Sequence, residues 1–368
     1  MKIVHFKSDN ANQQAFTEEL NQRVNSYFKE RKISMRGNTA LYVKAMIMLA
    51  IYIGAFILII SISMSLWWAL ILTVIMGIGE AGIGMSVMHD GAHGSFSDVP
   101  WINKMATSTI VILGSNAVNW KIQHNFLHHR FTNIYGYDQD IQTKAVIRLS
   151  DHAPLKSYHK YQHIYTFFFY GLMTLSKLIG DFPQLRKFTK SGLTRQQHID
   201  TKKEWAKLIG IKTIYLFLFI GLPLWLTDYS WWQILLGFVV MHFTAGMIMS
   251  TIFQMAHVVE GAEQPLPDSH GVIHMEWTVH QLHTTSDFAQ NNALLNWYAG
   301  GLNFQIEHHL FQQISHIHFQ NIAPIVRELT EKYKLPYTVK TSFSEALHSH
   351  VRRLKELGRM IKTETEQH

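Results

Sequence analysis

The chain has 368 residues, 47% of them hydrophobic, a formal net charge of +7 and a pI near 9.3. It contains no cysteine, which excludes disulfides, thiolate zinc sites and cysteine-ligated iron–sulfur clusters. Length alone suits about two soluble domains, but the apolar residues are bunched into long runs flanked by Lys and Arg, a pattern of membrane proteins with one basic face rather than of nucleic-acid binders.

Taken in order, Met1 to Asn38 is polar and mixed in charge, yet Phe16, Leu20, Val24 and Phe28 recur near helical spacing and predict an amphipathic helix outside the membrane. No signal peptide is visible. Leu41 to about Met64 is apolar except for Lys44, and Leu66 to Met88 is a second such run; each has the ~20 residues that cross a bilayer, and together they form a hairpin. Glu80 in the second run is costly at membrane depth and is read two ways, as an outer partner of a nearby histidine or as a structural carboxylate paired elsewhere. Met105 to Val118 is too short to cross and is expected to lie in the plane or re-enter. The segment Lys121 to Glu204 is polar and basic. Inside it, Ile164 to Ile179 is expected to be an interfacial helix, because a true span there would carry the later histidines to the opposite side. Two further spans follow, about Leu208 to Leu226 and Trp231 to Met255, with Trp231 and Trp232 where an aromatic belt belongs.

Both short turns, near Ser63 and Asp228, lack Lys and Arg, whereas the amino-terminal arm, the central segment and the carboxyl-terminal region are rich in them. The positive-inside rule then places both termini and all the histidine clusters in the cytoplasm. The tail from Asn321 reads as soluble helices, the last opening on Ser342 with Glu345 at capping-box spacing. The expected class is an all-α integral membrane protein with four transmembrane helices, interfacial helices and a cytoplasmic helical cap that holds a two-metal site. It divides into an arm (1–40), a membrane body (41–340) and a helical tail (341–368).

The 23 histidines are the compositional anomaly, and three clusters of them have metal-ligand spacing. His89 and His93 in HDGAH stand four apart, so both rings share one helix face. His124 and His128 in HNFLHH repeat the geometry, with His129 adjacent and able to turn to a second metal. In GGLNFQIEHHLF, Gln305 precedes His308 and His309 by three and four residues, again on one face. This many nitrogen donors exceed what one ion takes, so two ions are the economical reading, and neutral imidazoles leave them strongly Lewis-acidic. A zinc hydrolase would carry a carboxylate base beside its histidines; Glu307 adjoins His308, but a helix points it away from the ligand face. Redox iron is favoured.

HDGAH, HNFLHH and QIEHH, in that order and with two spans between the second and third, resemble the three histidine boxes of the membrane fatty-acid desaturases. The likeness runs from about Leu41 to Phe319, including Trp277 and Gln281, and Gln at the head of the third box resembles the front-end subgroup. It implies a non-haem di-iron centre, molecular oxygen as co-substrate, and a long acyl chain in a kinked tunnel beneath the metals. Carried over residue by residue, it implies His89, His93, His124, His128, His129, His308 and His309 as iron ligands, a further ligand from the end of the fourth span, here His257 in FQMAH, and Gln305 as a weak ligand or substrate-positioning group. His280 and His283 are read as polar core or surface residues.

Gln312 and Phe319 replace the Pro and Tyr of many relatives without touching that ligand set. The arm before Leu41 is too short for the fused haem domain of many front-end enzymes, so electrons are expected from a separate ferredoxin or cytochrome b-type donor and its reductase, steered to the basic face. The expected reaction is O2-dependent insertion of a cis double bond into a long, already unsaturated acyl chain linked to CoA, a carrier protein or a lipid. A lipid hydroxylase or ketolase is the neighbouring chemistry. A metal transporter is the reading of another class, and it would need ionisable ligands at mid-membrane, where only His242 lies.

Overall fold

Among the described residues four helices are long and apolar enough to cross a membrane, and they set the frame of the protein. The computed structural model describes residues 4–142 and 146–359; the last residues of the expected tail, 360–368, lie outside the described part. After α1 (Ala11–Arg31) come the spans α2 (Thr39–Ser61) and α3 (Leu66–His93). The short α4 (Pro100–Ser108), α5 (Ala117–Lys121), α6 (Gln162–Gly171) and α7 (Met173–Lys190) follow. The spans α8 (Thr201–Leu226) and α9 (Trp231–His257) complete the bundle. The chain then forms α10 (Trp277–Thr284), α11 (Gln305–Leu310), α12 (Phe319–Tyr333) and α13 (Phe343–Leu357).

The spans match expectation in number and differ at their ends. The second runs on through the first histidine box to His93, and the third begins at Thr201, because the helical hydrogen bonding continues past the apolar run at each of these ends. Gly77 lets α3 and α9 approach closely: a Cβ there would lie 2.5 Å from the carbonyl oxygen of Met241. Trp67, Trp68, Trp225, Trp231 and Trp232 are all exposed around the two short turns, as an aromatic belt requires.

The single in-plane helix expected over Met105 to Val118 is not formed. A helix starts earlier, with Pro100 in its first turn, and ends at Ser108; Gly114, at φ +60, then turns the chain into α5. The Ile164 to Ile179 segment is split between α6 and α7, neither of which is long and apolar enough to cross, and it turns Ile164, Phe168 and Ile179 outward.

Beyond the bundle lies a cap. Helix α1 buries Phe16, Leu20, Val24 and Phe28, the four residues its spacing singled out, against Ile322, Val326 and Leu329 of α12. Two small parallel pairs stitch distant segments: β1 (His5–Phe6) to β2 (Val272–Ile273), and β3 (Asp287–Phe288) to β4 (Val339–Lys340). Helix α13, N-capped by Ser342 on the amide of Glu345, closes over the end of α9, where His350 Nδ1 bonds the carbonyl of Val258 at 2.7 Å.

Candidate metal centre

The first two boxes sit where helices are locally widened. Helix α3 opens into a π turn over Ile83–Met88 just before His89, and α5 runs into another over Ile122–His128. Such turns shift the helical phase and recur at functional sites. The third box lies on α11, whose amide of Ile306 is capped at 2.9 Å by Asp287 Oδ1 from β3. The fourth contribution, His257, ends α9.

These elements bring the imidazoles together. His89, His93, His124 and His308 form one group; His128, His257 and His309 form another; His129 joins His308 and His309. In each, ring nitrogens lie within 4.8 Å of one another. His124 Nε2 is 3.2 Å from His89 Nε2 and 3.1 Å from His129 Nε2. In the second group every Nδ1 faces outward to an acceptor: Asp138 Oδ2 at 3.0 Å for His128, Gln281 Oε1 at 2.8 Å for His309, and the carbonyl of Thr284 at 3.4 Å for His257. Their Nε2 atoms are buried and without partners, as are those of His93 and His308. Buried nitrogens are otherwise hydrogen-bonded, and an imidazole anchored at Nδ1 with a free inward Nε2 is the arrangement of a metal ligand.

Burial, with neighbouring imidazoles, pushes the pKa of His124, His129, His308 and His309 well below the usual histidine range, so their lone pairs are available. His128 differs: burial opposes its charge, but the adjacent Asp138 carboxylate raises it overall. A nitrogen-rich, buried set of this kind fits a pair of transition-metal ions such as iron. The carboxylates nearest the imidazoles, Asp138 and Asp140, lie 3.0 and 3.5 Å from Nδ1 of His128, on the side of that ring away from its unpartnered Nε2. Glu307 faces away, 3.0 Å from the hydroxyl of Tyr337, and burial together with Asp287 raises its carboxyl well above the ordinary value.

Gln305 is 1% exposed, and neither of its amide atoms has a partner. His280 is a core residue bonded to the carbonyl of Thr132 at 2.9 Å, and His283 lies near the surface, 2.8 Å from Glu263. Glu80 does not support a box histidine. It lies nine residues before His89, roughly 13 Å along a helix, and pairs instead with His242 at 3.5 Å. His242 is in turn bonded to Thr174 and Tyr215, a packing role that leaves nothing for transport. Asp138, Asp140 and Thr132 were not found from spacing; the DQD acids ten and twelve residues past His128, in a basic segment, were the available signal.

The sequence profile described as "Fatty acid desaturase" matches residues 65–341. The chain is 35% identical to the sn-1 linoleoyl-lipid 6-desaturase of Arthrospira platensis, over 93% of this chain and 92% of the relative. It is 32% identical to the protein of that name from Synechocystis sp., over 94% and 96%. It is 33% identical to the acyl-lipid (8-3)-desaturase of Physcomitrium patens, over 92% and 71%. Since the match takes in all three boxes and the spans between them, the chain belongs to the fatty acid desaturase family and is an oxidoreductase that desaturates fatty acyl chains.

Proposed function

We propose that the two imidazole groups hold two iron ions, His89, His93, His124 and His308 about one and His128, His257 and His309 about the other, with His129 where the groups meet. The observation that carries this is the shared orientation of His128, His257 and His309, each anchored at Nδ1 and free at a buried Nε2. Bound iron would supply the activation of molecular oxygen. The protein's own groups do the rest: Asp138, Gln281 and the Thr284 carbonyl orient the rings, and the buried surroundings exclude bulk water. The balanced reaction takes an acyl –CH2–CH2– unit, O2, two electrons and two protons to –CH=CH– and two waters.

The electrons come from a separate ferredoxin or cytochrome b-type protein and its reductase, attracted to the basic face. The substrate is a long, already unsaturated acyl chain, and the new double bond lies between an existing one and the carboxyl end. The names of the relatives favour a lipid-linked chain over a CoA or carrier-protein thioester. Gln305, buried and unpartnered, is the group we assign to positioning substrate or weakly binding metal. Both termini and the centre face the cytoplasm. The proposed divisions are an arm (1–40), a body (41–340) and a tail (341–368); α1 packs against α12, and α13 bonds the end of α9. Expression in a host supplied with linoleate, followed by mass spectrometry of its lipids, tests the reading: a new double bond on the carboxyl side is expected, and unaltered or hydroxylated chains would refute it.

A further inference from the structure

Asp90, the second residue of HDGAH, is bound from one side by the segment that follows the third box. Its Oδ2 accepts from the Ser315 hydroxyl at 2.8 Å, from His316 Nδ1 at 2.9 Å and from the His316 amide at 3.3 Å. The other nitrogen of that ring, His316 Nε2, lies 3.0 Å from the ammonium of Lys44 in the first span. The Asp90 carboxylate can only accept, so the ring proton sits on Nδ1, facing it, and Nε2 is left to accept from Lys44. Lys44, Asp90 and His316 are 2%, 3% and 7% exposed. The free oxygen of Asp90, Oδ1, stands 4.0 Å from Nδ1 of His89, which has no hydrogen-bond partner.

A lysine within a span is costly and marks a functional arrangement. This one does not pair directly with the only carboxylate it serves; an imidazole of fixed tautomer stands between them, and the far end of the line is a box histidine. We propose that Lys44 is a positioning residue of the metal centre, acting through His316 to fix Asp90 and, through Asp90, the ring of His89. The proposal rests on the di-iron reading, in which His89 is a ligand. It gives a role to the one charged residue of the first span and ties that span, the first box and the segment after the third into one unit.

The test measures the half-time of iron loss from purified, iron-loaded protein to a ferrous chelator, with thermal unfolding followed in parallel. Lys44→Met is expected to shorten that half-time about 10- to 100-fold, the usual effect of removing an outer partner of a ligand. Asp90→Asn should do the same, and the double variant should lose iron no faster than Asp90→Asn alone, because both cut one path. The reduction potential of the bound iron should fall in Lys44→Met, since a buried positive charge near the centre has gone; a defect in packing alone does not impose that sign. If Lys44→Met does not accumulate in the membrane, His316→Leu breaks the same path at its middle and carries the same expectations for iron loss. Unchanged iron loss in the single variants, or effects of Lys44→Met and Asp90→Asn that multiply, overturns the proposal while leaving the di-iron reading intact. A wild-type protein that takes up no iron overturns both.

Discussion

The carboxylate of Asp138 lies 3.0 Å from Nδ1 of His128, ten residues back along the chain, and both side chains are buried. Asp138 Oδ2 also accepts from the amide of Asn133 at 2.9 Å, and Asp138 Oδ1 from that of Asp140, so the carboxylate is fixed before it orients the ring. Asp138→Asn keeps the shape but removes the charge that steadies Nδ1–H. It is expected to lower iron affinity by about 10- to 100-fold, read by iron retention against a graded chelator series; affinity equal to wild type would remove Asp138 from the centre.

Of the proposed ligands, His257 has the least support from spacing, since it stands alone at the end of α9, yet its ring meets those of His128 and His309 at 4.7 and 4.9 Å. His257→Ala should therefore behave as His128→Ala and His309→Ala do, dropping the content from two irons per chain to one or none and abolishing turnover. Full metal content in His257→Ala would limit the second group to two histidines.

Gln305 gives a prediction in which stability and activity move in opposite directions. Its amide is buried with both polar atoms unpaired, and an unpaired buried polar group costs about 1–3 kcal/mol. Gln305→Leu should therefore raise the unfolding free energy of the metal-free protein by about 1 kcal/mol while reducing turnover or displacing the new double bond. Loss of stability with unaltered products would show that the amide is structural. Gln305→His, which puts an imidazole donor on the same helix face as His308 and His309, should keep more activity than Gln305→Leu.

Topology is open to a direct test. Reporter fusions after Lys190 and within residues 227–230 should report opposite sides of the membrane, the first cytoplasmic, because α6 and α7 do not cross and α8 does. A reporter after Lys190 found on the outer side would make the split aromatic segment a true span, and matching sides would show that α8 does not cross.

The sequence made the helices and the boxes legible because both depend on local periodicity. Four-residue spacing put His89 with His93 and His124 with His128, and the 3–4 pattern of Phe16, Leu20, Val24 and Phe28 marked the buried face of α1. What anchors the rings was not legible, since it depends on contacts across the fold: Gln281 reaches His309 over 28 residues, and His316 reaches Asp90 over 226. The choice between the two readings of Glu80 was not legible for the same reason. Its neighbour in sequence is the first box, but its neighbour in space is His242, on the fourth span.

The centre is assembled from residues spread between His89 and His309, and Ser315 and His316 brace it from just beyond. It follows that no metal pocket exists on a chain still being synthesised until nearly the whole polypeptide has left the ribosome, by which time all four spans are available to the bilayer. On the di-iron reading, insertion and metal acquisition are expected to be separate stages of biogenesis. Cells starved of iron are expected to accumulate a fully inserted, metal-free precursor, which iron added later loads without new synthesis.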